Sequence, residues 1–210
     1  MPRRDADEVW GPIRSLLSPV GQPGKIEKTL VKVLSLPSAF FVCANILYIM
    51  KDVLEVLTKN GTETKKFARL FAHEILNLKN PKQSSAILIG LEGKLGAGKT
   101  TFAKGFAEGL GIKEEMKSPT FILMRAFRFQ KYRSRTSVFL HFDAYRVDSP
   151  QEFVALGFKK LLSDPKNILL VEWSDRIKKI LPEKYFRFVL RNPTSKKSRS
   201  RTSREITLWN

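Results

Sequence analysis

Gly93-Lys94-Leu95-Gly96-Ala97-Gly98-Lys99-Thr100-Thr101 fits the pattern G-x-x-x-x-G-K-[ST], and its residue types state the chemistry. Gly96 and Gly98 permit a tight turn, so that consecutive backbone N–H groups face inward on a polyphosphate. Gly93, Leu95, Gly96, Ala97, Gly98, Lys99, Thr100 and Thr101 are the expected lining of that cradle. Lys99 adds a point charge for the β- and γ-phosphates, and the Thr100 hydroxyl can complete the shell of a Mg²⁺ ion. Upstream, Ser85 to Leu91 is a short apolar run that reads as a buried strand of a parallel sheet. Downstream, Phe102, Phe106 and Leu110 recur every four residues and Gly111 follows as a helix stop. Strand, loop and helix come in the order a nucleotide di- or triphosphate site requires, and the helix N-terminus adds partial positive charge.

Two later strands carry acids to the same place. Val138 to Asp143 and Ile168 to Glu172 are apolar runs that each end in a carboxylate. In an open α/β sheet ligands sit beyond the carboxyl ends of the strands, so Asp143 and Glu172 are expected to face the loop. One can hold Mg²⁺ and the other can orient an attacking water. Trp173, beside Glu172, either covers the site or belongs to the core. The remaining elements complete a small α/β fold, a mainly parallel sheet flanked by helices with antiparallel strands toward the C-terminus. Met50 to Leu57 reads as a first strand. Asn60 and Glu63 have capping-box spacing ahead of a helix whose apolar face is Phe67, Leu70, Phe71, Ile75 and Leu78, ending before Pro81. Its other face, with Lys65, Lys66, Arg69, His73 and Glu74, reads as solvated surface. Ser118-Pro119 marks a turn and Thr120 to Met124 a strand. Pro150 to Leu162 reads as one helix with Phe153, Leu156, Phe158 and Leu161 inward, and Tyr185–Leu190 and Arg204–Trp209 as closing strands.

The chain of 210 residues carries a formal charge of +18, which points to anionic partners or an anion-rich cytoplasm. Arg125, Arg128, Lys131, Arg133 and Arg135 interleave with Phe127, Phe129 and Tyr132 in a pattern that suits a strand pair with a basic tip. A second basic stretch spans 191–204, with Lys196, Lys197, Arg199 and Arg201 among serines. Each reads either as a solvated loop or as a nucleic-acid contact. The single cysteine, Cys43, excludes an internal disulfide framework and fits a reducing compartment. Residues 1–49 differ from the rest, with prolines and glycines around one apolar stretch, Leu36 to Met50, of 15 residues. That is short of the roughly 20 a spanning helix needs. A docking segment, a weak anchor, or translated sequence upstream of a start at Met50 are the three readings, and the strand opening at Met50 favours the last.

Taken together, Leu91-Glu92-Gly93 to Thr101, Ser118-Pro119-Thr120-Phe121, His141-Phe142-Asp143-Ala144-Tyr145-Arg146 and Glu172-Trp173-Ser174-Asp175 resemble, in order and spacing, the TsaE (YjeE) family. That family is the bacterial ATPase of tRNA threonylcarbamoyladenosine synthesis. The resemblance covers about residues 50–210 as a P-loop ATPase domain, with residues 1–49 as an extension outside it. It implies a cytoplasmic ATPase, using ATP and Mg²⁺, that supports the TsaD–TsaB assembly modifying adenosine 37 of ANN-decoding tRNAs. It further implies Thr100 and Glu172 as magnesium ligands and Lys99, Asp143 and Glu172 as the catalytic set. By the same resemblance Ser118 to Thr120 is a switch-like segment, Trp173 a functional neighbour, and the segment around Thr62 and Thr64 the approach to adenine. Lys94 stands where the family usually has Asp, and Ala144 where Leu is common. A small-molecule P-loop kinase and a nucleotide-gated binding protein with little hydrolysis are the competing classes.

Overall fold

The computed structural model describes residues 53–77, 84–116, 118–119, 121–131, 135–193 and 203–209. Residues 1–49 with Cys43, the expected start at Met50, Leu78, Pro81, Thr120, Tyr132, Arg133 and the loop residues Lys196, Lys197, Arg199 and Arg201 lie outside that set. Among the described residues seven strands form one sheet: β1 (Val53–Thr58), β2 (Ile87–Glu92), β3 (Met124–Lys131), β4 (Arg135–Asp143), β5 (Asn167–Glu172), β6 (Phe186–Arg191) and β7 (Arg204–Trp209). Their spatial order is β1-β7-β6-β2-β5-β4-β3. The helices are α1 (Gly61–Asn77), α2 (Lys99–Gly109), α3 (Gln151–Ala155) and α4 (Phe158–Leu162), with a 3-10 helix at Ser174–Ile180.

The centre of the sheet is parallel, β2 lying between β6 and β5 and β5 against β4. Every residue of β5 is buried, as expected of a strand covered on both faces. The antiparallel pairs lie at both edges: β1 and β6 flank β7 on one side, and β3 runs against β4 on the other. The core is correspondingly double. On one face α1 and α2 cover Ile89, Leu91, Phe102, Phe106, Phe139 and Phe188. On the other, Phe142, Phe153, Phe158, Leu169 and Ile177 pack beneath α3, α4 and the 3-10 helix.

The helix α1 starts as its capping pair predicts. Glu63 N–H donates to Asn60 Oδ1 at 2.9 Å, while the Glu63 carboxylate accepts the Lys59 N–H at 2.7 Å, one residue earlier than in the standard box. The solvated face expected of α1 partly leans on its neighbour, since Lys65 and Arg69 pair with Glu108 of α2 at 3.4 and 2.8 Å. His73 is exposed, as expected.

Two expected elements are corrected. Of the expected strand from Thr120 to Met124, the described residues 121–123 form a turn, Leu123 has φ 60°, and β3 begins only at Met124. The reason is the partner. β4 ends at Asp143, the ladder starts at Met124 opposite Phe142, and beyond it only the Asp143 N–H reaches back, to Leu123 O at 3.1 Å. Pro150 to Leu162 is not one helix either. Gly157, at φ 75°, separates α3 from α4 and leaves Leu156 exposed rather than inward. The expected strand pair forms, its tip at 132–134 lying outside the described residues. β3 returns through β4 itself, so the strand ending in Asp143 is its second arm. Phe127 and Phe129 are buried in the core, with Arg128 on the opposite, exposed face.

Candidate functional site

β2 delivers the chain to the glycine loop through a crowded corner. Gly93 has φ 137°, and a Cβ placed there would lie 2.3 Å from the carbonyl oxygen of Leu190 on β6. Glu92, immediately before it, is gripped by Arg187 in a two-pronged ion pair of 2.7 and 2.6 Å. These two contacts fasten the base of the loop to β6. Gly98, at φ 98°, then caps α2, and Phe102 N–H donates to its carbonyl at 2.9 Å.

Lys99 is buried and turns back over its own loop. Its Nζ donates to the carbonyls of Gly93 and Lys94 at 2.7 and 3.0 Å and stands 3.5 Å above the Trp173 ring centre. Burial lowers its pKa, opposed by the charges of Glu172, Asp143 and Asp175. Trp173 follows β5 in the left-handed region at φ 59°, which swings the indole from the strand end toward Lys99 and to 5.0 Å from the Tyr145 ring. A bulky residue in that conformation is strained by about 1–3 kcal/mol. Both alternatives for Trp173 are thus met in part, since it touches Lys99 and also packs on the second core.

The acids occupy the strand ends as their positions predict. Asp143 and Glu172 are adjacent in the parallel register of β4 and β5, and both are buried. The Glu172 carboxylate accepts the Thr100 hydroxyl at 2.8 Å on one oxygen and meets His141 Nε2 at 2.9 Å on the other. The Asp143 carboxylate accepts the Ser118 hydroxyl at 2.9 Å and the Tyr145 N–H at 2.9 Å, while its own N–H donates to Leu123 O. Asp143 therefore ties the segment 118–123 to the site at two points. Phe121, 80% exposed, lies under the Arg146 guanidinium at 4.3 Å.

The donors suit magnesium. Among the described residues no three His, Cys, Asp or Glu side chains cluster to hold a metal. The oxygens of Thr100 and Glu172 are instead a small, hard set, and Mg²⁺ is ordinarily held by one or two carboxylates together with substrate phosphates. Thr64, expected near a base, is buried and hydrogen-bonded to Thr58 Oγ1 at 2.8 Å, and Thr62 is exposed. The start of α1 nonetheless abuts the site, because a Cβ on Gly61 would lie 3.5 Å from the Thr101 methyl. Lys94 points outward, and only its carbonyl enters the loop.

Two residues acquire a place that sequence reasoning did not assign them. His141 is one; a histidine inside an apolar strand was the available signal. Arg204 is the other. It stands at the start of β7, and its Nη2 donates to Gly96 O at 3.0 Å, across 108 positions of sequence. No local pattern marks such a contact.

Residues 58–202 match the family model described as "Threonylcarbamoyl adenosine biosynthesis protein TsaE". A "tRNA threonylcarbamoyladenosine biosynthesis protein TsaE" of Haemophilus influenzae is 36% identical over 118 residues, 56% of this chain and 69% of that protein. The Bacillus subtilis protein of the same description is 37% identical over 134 residues, 64% of this chain and 75% of its own length. Among solved structures, YdiB of Bacillus subtilis superposes with a TM-score of 0.54 at 31% identity, covering 74% of this chain and 84% of that one.

Proposed function

The chain belongs to the TsaE family of threonylcarbamoyl adenosine biosynthesis proteins, P-loop nucleotide-binding proteins, and from that premise we propose that it is a Mg²⁺-dependent ATPase. In this reading it is the subunit that supports the TsaD–TsaB assembly forming N6-threonylcarbamoyladenosine at position 37 of ANN-decoding tRNAs. The ATPase domain is 50–210, and it works in the cytoplasm. Among the described residues no helix is long and apolar enough to cross a membrane.

The observation that carries the reading is the part-buried contact of Thr100 with Glu172, 2.8 Å, at the mouth of the glycine loop. In it the Thr100 hydroxyl donates its hydrogen bond to Glu172, which leaves an oxygen lone pair for a cation, and the free face of the carboxylate completes the set. Mg²⁺, when bound, supplies charge neutralisation at the β- and γ-phosphates. The loop from Gly93 to Thr101, with Leu95, Gly96, Ala97 and Gly98 between, presents N–H groups to those phosphates. Lys99 exchanges its two carbonyl partners for phosphate oxygens. Asp143 is the second acid: it orients water and holds Ser118, with Thr120 close in sequence, against the γ-phosphate position. Trp173 shields Lys99 from solvent on the other side. Hydrolysis is the favoured outcome over transfer because the described site offers acids and a switch-like segment.

The test is phosphate release from ATP by the full chain, with and without TsaD and TsaB, run beside phosphorylation of candidate small-molecule acceptors. Release stimulated by the two proteins is the expected result. Phosphorylated acceptor would replace the reading with a kinase, and nucleotide binding without release under either condition would replace it with a nucleotide-gated binder.

A further inference from the structure

Glu172 is held on both oxygens, and only one of its two partners belongs to the phosphate loop. The other is His141. This histidine is fully buried on β4, stacked against Phe139 with ring planes 10° apart and centres 6.3 Å apart. Its Nε2 lies 2.9 Å from Glu172 Oε1, while its Nδ1 has no hydrogen-bond partner. The orphan nitrogen selects the tautomer. A proton on Nδ1 would be a buried donor with no acceptor and would turn the Nε2 lone pair on a carboxylate. With the proton on Nε2, one charge-assisted hydrogen bond forms and only a weak acceptor is left unsatisfied.

We propose that His141 is a positioning residue that sets the rotation of the Glu172 carboxylate, and through it the affinity of the site for its divalent cation. The inference rests on the proposed magnesium-dependent reading of the site. The register explains why the task falls to this residue. In the parallel pairing of β4 with β5, His141 stands opposite Leu170 and Asp143 opposite Glu172. A side chain two residues behind the strand end reaches forward to Glu172 from within the core. Thr100 alone would leave the carboxylate free to turn about its last bond. Donors on both oxygens leave one orientation, with Oε2 beside the Thr100 hydroxyl. A partner that orients a metal-binding side chain typically shifts metal affinity by about 10- to 100-fold when removed.

Three variants of the full chain decide the matter: His141→Phe keeps the ring but removes the donor, His141→Gln retains an N–H of similar reach, and Glu172→Gln serves as reference. Mn²⁺ binding to the ADP complex is read by electron paramagnetic resonance, and ADP binding without metal by fluorescence. His141→Phe should weaken Mn²⁺ by about 10- to 100-fold, leave metal-free ADP affinity within about twofold, and His141→Gln should regain most of the loss. If His141→Phe does not fold, His141→Asn, too short to reach Glu172, takes its place with the same expectation. Wild-type Mn²⁺ affinity in His141→Phe or His141→Asn, with Glu172→Gln impaired, overturns the inference and leaves His141 as core. Unchanged Mn²⁺ affinity in Glu172→Gln overturns the metal reading of the site itself.

Discussion

Replacing Gly93 with alanine tests the way the loop is fastened to the sheet, and Gly96 provides the control. Both glycines have positive φ, 137° and 76°, so an added methyl strains either backbone. They differ in surroundings. The methyl on Gly93 would sit 2.3 Å from Leu190 O, a backbone atom of β6, whereas nothing lies within 4 Å of the one on Gly96. Strain at a left-handed position costs about 1–3 kcal/mol, common to both variants. Relieving the contact at Gly93 means moving β6 by nearly the width of a bond, an overpacking cost of about 1–3 kcal/mol more. For a domain of this size each kcal/mol lowers Tm by about 2–4 °C. Gly93→Ala should therefore melt about 2–12 °C below Gly96→Ala. Since the shift of β6 also disturbs the Arg187–Glu92 pair, nucleotide affinity should fall further in Gly93→Ala too. Differential scanning calorimetry and titration with a fluorescent ADP analogue measure both quantities. Equal melting temperatures for the two variants would refute the reasoning, because they would mean that β6 yields at no cost.

Lys99→Ala should abolish ATP hydrolysis with the fold intact, since it removes a lysine whose ammonium sits inside the loop; unchanged phosphate release would withdraw the site. Asp143→Asn should keep ATP binding within about tenfold, or ~1.4 kcal/mol, while hydrolysis falls by far more. A wild-type rate in that variant would reduce Asp143 to a turn residue. Arg204→Gln loses the donor to Gly96 O and should weaken nucleotide binding by about threefold to tenfold, as expected for a half-exposed charged hydrogen bond; calorimetric titration showing no change would make Arg204 a surface residue. If the basic stretch 191–204 contacts tRNA, replacing Lys196, Lys197, Arg199 and Arg201 with serine should flatten the salt dependence of binding. The change is about 0.7–0.9 in slope per lost phosphate, and gel shifts at two salt concentrations give it.

The phosphate loop and its flanking elements were legible because their parts are local or periodic. Nine consecutive residues carry the loop, and the strand that leads in and the helix that leads out follow from apolar spacing alone. The acids at 143 and 172 were legible for a different reason: each closes a mostly apolar run, and a buried strand of that kind most readily places a carboxylate where it leaves the core. What the sequence could not decide are contacts between elements far apart in the chain. Arg204 reads as part of a basic loop until β7 is seen lying beside β6, which sets its guanidinium over Gly96. His141 reads as one histidine in a strand until the pairing of β4 with β5 turns it on Glu172. The apolar run from Phe121 to Leu123 reads as strand, because propensity carries no knowledge of where the partner strand stops. Local pattern sets which residues can bind phosphate; strand order sets which of the others stand close enough to hold them in place.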